Sequence, residues 1–196
     1  MGMKEKWNER YRGAAGEPKA ARVLKENLHL LPDSGRALDL ACGRGGNAIL
    51  LARQGLDVVA WDIADVPVAA LQDAALEQRL SVQAVVRDVE TSPPAPESFD
   101  VITVSYFLDR AIIPALVAAL KPGGLIYYQT FTNERVSGRG PQQAGYRLGE
   151  QELMQLFSGL QILVYREEGR VGDVQKGFRD EAMLVARKNS GVGENP

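Results

Sequence analysis

Two features of the chain carry residue types suited to chemistry. The first is the segment Leu38-Asp39-Leu40-Ala41-Cys42-Gly43-Arg44-Gly45-Gly46-Asn47, in which a carboxylate stands just ahead of a glycine-rich bend. Glycine lacks Cβ, so at Gly43 and Gly45 the backbone can turn through positive φ and approach a ligand closely. The second is a set of acids closing three successive apolar runs, Asp39, Asp62 and Asp88. Carboxylates at one rim suit a ligand carrying an ammonium and a sulfonium, and they repel a pyrophosphate. The same residues allow a different reading. Gly43-x-Gly45-x-x-Ala48 also satisfies a dinucleotide fingerprint, and Asp62, 19 residues beyond Gly43, stands where a ribose-binding acid belongs. Each acid has a plain structural alternative too: Asp39 as cap of the following turn, Asp62 as a helix N-cap, and Asp88 as partner of Arg87 or start of a turn.

Such residues need a frame to hold them. Short apolar runs at 36–40, 57–62, 81–86, 99–104 and 125–131 read as buried strands, while 47–54, 66–79 and 112–120 read as helices. The glycine loop therefore follows a strand and opens a helix, the context in which such a loop binds ligands. This alternation in 196 residues predicts a parallel sheet with helices on both faces, joined by right-handed crossovers. Upstream, 3–11 reads as a short amphipathic helix. Ala21, Leu24, Leu28 and Leu31 recur at helical spacing and predict a second helix over 18–31, opened by Pro18. Downstream, residues 132–148 are polar and glycine-rich, too long for an idle connector, which points to a functional or mobile loop. A helix at 150–157 and strands at 160–166 and 181–187 follow. The last two have no helix between them, so an antiparallel pair at the sheet edge is expected. One domain over 1–188 and a disordered tail over 189–196 complete the expected organisation.

Composition removes several function classes. The chain has 23 basic and 25 acidic residues, a formal net charge of −2 and no run of Lys or Arg, which argues against nucleic acid as its partner. Hydrophobic residues at 45% and charged residues at 24% are ordinary for a globular protein. The single cysteine, Cys42, cannot form an intramolecular disulfide and reads as a small buried filler. With no N-terminal apolar stretch and no run long enough to span a bilayer, a cytoplasmic protein without a membrane role is expected. His29, the only histidine, reads as a surface residue and leaves no evident general base. No metal site is expected.

The glycine loop and acids, together with Phe99-Asp100-Val101-Ile102, Leu120-Lys121-Pro122-Gly123-Gly124-Leu125-Ile126 and two helix-poor closing strands, resemble the class I S-adenosylmethionine-dependent methyltransferases over roughly 36–188. The resemblance implies a Rossmann-like, doubly wound seven-stranded α/β sheet, mostly parallel with an antiparallel last strand, and S-adenosylmethionine as cofactor. It implies that the Gly43–Gly45 loop and Ala41 backbone meet the methionine portion, Asp62 the ribose, Asp88 and Val89 the adenine, and that Ser105 lies near the methionine end. Trp7, Asn47 and Ile63 complete this cofactor set. Within the class, Trp7-Asn8-Glu9-Arg10-Tyr11, Tyr106-Phe107-Leu108-Asp109-Arg110 and Glu181-Ala182-Met183-Leu184-Val185-Ala186-Arg187-Lys188 are similar to bacterial tellurite-resistance (TehB-like) methyltransferases. Thiopurine methyltransferases are similar in their Trp-containing entry.

The implied reaction is methyl transfer to a small-molecule acceptor. The lack of a base favours a thiol, a chalcogen oxyanion or another soft or already ionised nucleophile. Tyr106 and Arg110, just after the fourth strand, are the catalytic and acceptor-pocket candidates, with a structural role for either as the alternative. Arg135, Arg139 and Arg147 are expected to face solvent, with attraction of an anionic acceptor as the alternative. The helices in 1–31 form a lid or simply pack on the domain, and monomer and homodimer both fit. Two rivals stay open: an NAD(P)-dependent oxidoreductase using the same glycine loop, and a cofactor-binding protein without catalysis.

Overall fold

The apolar runs become seven strands in the computed structural model, which describes residues 2–190. They are β1 (Arg36–Leu40), β2 (Asp57–Asp62), β3 (Val82–Val86), β4 (Phe99–Ser105), β5 (Leu120–Phe131), β6 (Gln161–Glu167) and β7 (Glu181–Arg187). Six helices accompany them among the described residues: α1 (Met3–Arg12), α2 (Arg22–Glu26), α3 (Gly46–Arg53), α4 (Asp65–Glu77), α5 (Ile113–Ala119) and α6 (Glu152–Leu156). The strands form one sheet in the order β3-β2-β1-β4-β5-β7-β6, in which β7 runs antiparallel to both its neighbours. This is the Rossmann-like doubly wound arrangement. No described helix is long and apolar enough to cross a membrane.

The winding follows from which faces the strands bury. Ala37, Leu38, Asp39 and Leu40 of β1 are all buried, as a central parallel strand covered on both sides must be. Ala37, Val58, Ala60, Val101, Tyr127 and Val185 pack against Leu24 of α2, Ala48 and Leu51 of α3 and Leu71 of α4. On the other face Leu38, Leu40, Ile102, Val104 and Tyr128 meet Ile113 and Leu116 of α5 and Leu153 of α6. Emptying such a site, as in Leu71→Ala, costs about 2–5 kcal/mol. After β3 the chain crosses back to β4 on the far side of β1. The switch point thus falls between β1 and β4, and in open α/β sheets ligands bind at the carboxyl ends of strands beside that point.

Three expectations change. The helix expected over 18–31 shrinks to α2 and a 3₁₀ turn at Leu28–Leu30. Ala21 N–H donates to Asn47 Oδ1 at 2.8 Å instead of to a helical carbonyl, and Asn27 Nδ2 caps Val23 O at 2.8 Å. Secondly, β5 begins at Leu120, because the Lys121–Gly124 stretch forms an irregularity in the β4–β5 pairing where a turn was expected. Thirdly, the 132–148 loop is anchored. Asp180 accepts from Val136 N–H (2.6 Å), Ser137 N–H (2.9 Å) and the Ser137 hydroxyl (2.7 Å). Arg147, expected in solvent, is fully buried and donates to the carbonyls of Pro141 (2.7 Å), Thr132 (2.6 Å) and Arg139. The expected tail at 189–196 lies outside the described residues beyond Ser190.

Candidate functional site

β1 delivers the glycine loop. Ala41 leaves the strand at φ 54°, Gly43 follows at φ 50° and Gly45 at φ 79°, so the chain reverses within five residues to start α3. Asp62, at the end of β2, secures this bend: its Oδ2 accepts from Gly43 N–H at 2.8 Å and its Oδ1 from Ala64 N–H at 2.9 Å. The two glycines differ in what they make room for. A Cβ on Gly45 would lie 2.2 Å from Leu71, so that position serves packing of α4. A Cβ on Gly43 would lie 2.7 Å from the Tyr11 hydroxyl, on the side where α1 closes over the loop.

Asp39 points inward, contrary to the expectation that it faces a ligand. It is 1% exposed, and its carboxylate accepts from Ala48 N–H (3.0 Å), Thr103 Oγ1 (3.1 Å) and Asn47 Nδ2 (3.3 Å). Ala48 lies in the first turn of α3, so Asp39 caps that helix from below. Asn47 is a junction: its Nδ2 donates to Asp39 and, at 3.0 Å, to Ser105 Oγ, while its Oδ1 accepts from Ala21 N–H, tying the ends of β1 and β4 to the segment before α2. Asp88, after β3, is half-buried and its Oδ1 accepts from Glu90 N–H at 3.0 Å, which makes it the start of a turn. Val89 is buried in the core, while Ile63 is half-buried next to Asp62. The parallel register brings the ends of β1, β2, β3 and β4 to one edge, so Asp39, Asp62, Asp88 and Ser105 share it.

The electrostatics of this edge are unusual. Burial pushes Asp39 up to about 7 against the opposing effect of its three donors, and Asp62 adds to the rise. Burial raises Asp62 as well, against its backbone donors. Neither carboxylate has a cationic partner among the described residues. Burial and the neighbouring Asp62 also raise the Tyr11 hydroxyl, and burial raises the Cys42 thiol, which keeps Cys42 an inert filler.

Two further expectations are revised. Trp7 is half-buried and stacks on Tyr11 with ring centroids 5.8 Å apart, so Tyr11 is the α1 residue against the loop. α1 itself is held on the start of α4 by Asn8 Oδ1, which accepts from Val66 N–H at 3.1 Å, and by the Lys4–Asp65 pair. Arg110 is engaged within the protein. Its guanidinium grips Glu152 through Nε (2.5 Å) and Nη2 (2.9 Å) and donates to the carbonyls of Gly145 and Arg147, which pins the long loop to α6. Tyr106 does stand at the edge, half its surface open, with φ 58°.

Backbone strain marks the same place. Of the six non-glycine residues with positive φ among those described, Ala41, Tyr106 and Asp180 flank β1, β4 and β7 at this edge. Each such residue costs of order 1–3 kcal/mol and persists where the surroundings enforce it, often at ligand sites. Nothing in residue type announces this, and only Tyr11 had a signal, its spacing of four from Trp7.

Comparison with known proteins places the arrangement. Residues 37–124 match the methyltransferase domain family. The probable S-adenosyl-L-methionine-dependent methyltransferase TehB of Haemophilus influenzae is 27% identical over 150 residues, covering 72% of this chain and 50% of that protein. The chain spans about half the length of the curated relatives it matches. The crystal structure of TehB from Haemophilus influenzae superposes with a TM-score of 0.70 at 21% identity over 95% of this chain and 67% of that one. The [4+2]-cyclase SpnF is also similar, with a TM-score of 0.67 at 23% identity over 86% of this chain and 79% of that one. The chain thus matches a methyltransferase domain over residues 37–124, the segment that holds the glycine loop after β1, and shares its overall fold with the solved structures it superposes on.

Proposed function

We propose that the chain binds S-adenosylmethionine along the carboxyl edge of β1 to β4 and transfers its methyl group to a small molecule. One observation carries this reading. Asp39 and Asp62 are buried carboxylates at the glycine loop with no cationic partner among the described residues. Buried charge left unpaired is costly, and a ligand carrying positive charge offsets that cost. A pyrophosphate would add to it, which disfavours a nicotinamide cofactor. The residues therefore fit the cofactor that the family uses.

In this reading the backbone from Ala41 to Gly45 holds the methionine portion, Asp62 the ribose hydroxyls, and Asp88 with Val89 the adenine. Asp39 acts on the cofactor's charge from beneath the loop and does not touch it. S-adenosylmethionine, when bound, supplies a methyl group already activated on sulfur. What is left to the protein is alignment and exclusion of water, which can lower a barrier by about 7–11 kcal/mol in favourable systems. Tyr11, on α1, closes the loop side, making α1 the lid. Tyr106 faces the acceptor. Among the described residues no histidine or unpaired acid stands beside Tyr106 as a base, Glu181 being paired with Arg139, which favours a thiol, a chalcogen oxyanion or another nucleophile already ionised.

Because a cyclase shares the fold, binding and transfer are tested separately. Thermal unfolding is followed with S-adenosylhomocysteine and with NADH and NADPH. A ligand at 100 times its dissociation constant adds about 2.7 kcal/mol, a rise of roughly 5–10 °C for a chain of this size. A rise with S-adenosylhomocysteine alone is expected, and a rise with the nicotinamides alone would overturn the assignment. Labelled methyl transfer is then measured on thiols and tellurite against phenols and amines. Methylation of the latter only would refute the soft-nucleophile reading.

A further inference from the structure

A polar cluster at the same edge has no part in the cofactor contacts. β5 and β7 meet there, with Phe131 paired to Glu181. Glu181 is 4% exposed. Its Oε2 accepts from Gln129 Nε2 at 2.5 Å and from the Tyr106 hydroxyl at 3.3 Å, and its Oε1 accepts from Arg139 Nη2 at 2.9 Å. Gln129 Nε2 also reaches the Tyr106 oxygen at 3.1 Å, while Gln129 Oε1 accepts from Val23 N–H at 2.7 Å, so the amide cannot turn away. One buried carboxylate thus fixes two groups from distant parts of the chain, a phenol after β4 and a guanidinium in the 132–148 loop.

Both groups face outward. Tyr106 is 45% exposed and the Arg139 side chain 62%. Phe131 lies beside Tyr106 with ring centroids 5.2 Å apart, so the patch pairs aromatic surface with a cation. Arg139 gives Glu181 a single N–H, and its guanidinium makes no other hydrogen bond among the described residues. Its remaining donors form a planar fork of the kind that takes an oxyanion bidentately. The Glu181 charge does not repel such a ligand strongly, because it is buried and already satisfied by Arg139, Gln129 and the Tyr106 hydroxyl.

Resting on the methyltransferase reading, we propose that Tyr106 and Arg139, both positioned by Glu181, form the acceptor subsite, and that it takes a small flat molecule bearing an oxyanion. The aromatic surface receives the flat part and Arg139 the charge. Tyr106 follows Ser105, whose hydroxyl is tied to Asn47 in the first turn of α3, so the subsite adjoins the cofactor loop.

The test uses the full chain saturated with S-adenosylhomocysteine and titrated calorimetrically with 2-naphthoate and 2-naphthamide, probes of one shape that differ in charge. Naphthoate is expected to bind about tenfold more tightly, the usual scale for a charge-assisted pair. Arg139→Ala should abolish that preference, Arg139→Lys should restore part of it, and neither should move the S-adenosylhomocysteine dissociation constant more than about twofold. Glu181→Gln should weaken naphthoate and leave naphthamide nearly unchanged. Equal binding of the two probes by the native chain, or a preference that survives Arg139→Ala, overturns the subsite alone. Failure of the native chain to bind S-adenosylhomocysteine overturns the methyltransferase reading and the subsite with it.

Discussion

Replacing Asp39 with Asn tests the electrostatics of the glycine loop in one step. Burial lifts the Asp39 carboxyl from its ordinary 3.8 to about 7. A raised carboxyl pKa means the folded chain holds the proton more tightly than the unfolded chain. That contribution to stability is complete below about pH 4 and is lost as pH rises to about 7. At about 1.4 kcal/mol per tenfold change in proton concentration, the interval amounts to roughly 4 kcal/mol. Between pH 5 and pH 8.5 roughly 3 kcal/mol of it disappears. Asn does not ionise and escapes this decline. Its Oδ1 keeps Ala48 N–H, while its amide opposes Asn47 Nδ2, at a cost of about 1–2 kcal/mol at every pH. Urea unfolding followed by circular dichroism should therefore give near-equal stabilities at pH 5. At pH 8.5 the variant should lead by roughly 3 kcal/mol. Comparing the two proteins cancels every titrating group except those that interact with Asp39, namely Asp62, Tyr11 and Cys42, and the last two are held neutral by burial across this range. Parallel pH profiles would refute the account of Asp39 as a buried, unpaired charge.

Three further substitutions probe what holds the site. Gly45→Ala places a Cβ 2.2 Å from Leu71 at a φ of 79°, and calorimetry should show a loss of about 2–4 kcal/mol. Arg147→Met removes the guanidinium donors from the carbonyls of Thr132, Arg139 and Pro141, of which Pro141 keeps only the longer contact from Arg135; it should cost about 2–4 kcal/mol and open the 132–148 loop to limited proteolysis. Asn47→Ala releases Ala21, Asp39 and Ser105 together, which should lower stability by about 2–3 kcal/mol and speed hydrogen exchange at Ala21 before any change in the core strands.

Much of this protein is legible along the chain. Continuous apolar runs such as 57–62 mark strands buried on both faces, and a glycine bend between a strand and a helix marks a ligand loop, because burial and turn geometry are local demands. The closing strands were legible as an antiparallel pair since no helix separates them. Their insertion order was not: β7 enters between β5 and β6, a matter of which edge was free. Asp39, Asp62 and Asp88 read alike in sequence, yet one caps α3, one clamps Gly43 and one starts a turn. Arg110 read as an acceptor-pocket candidate and Arg147 as a solvent-facing charge, yet both hold the 132–148 loop through its carbonyls. Glu181, Tyr106 and Arg139 carry no shared pattern at all. They meet only because the registers of β4, β5 and β7 bring their ends to one edge. Side-chain type and spacing determined which segments are buried and where the chain must bend, whereas the tertiary structure decided which donors each buried charge would find, because those partners lie many residues apart and are brought together only by strand pairing.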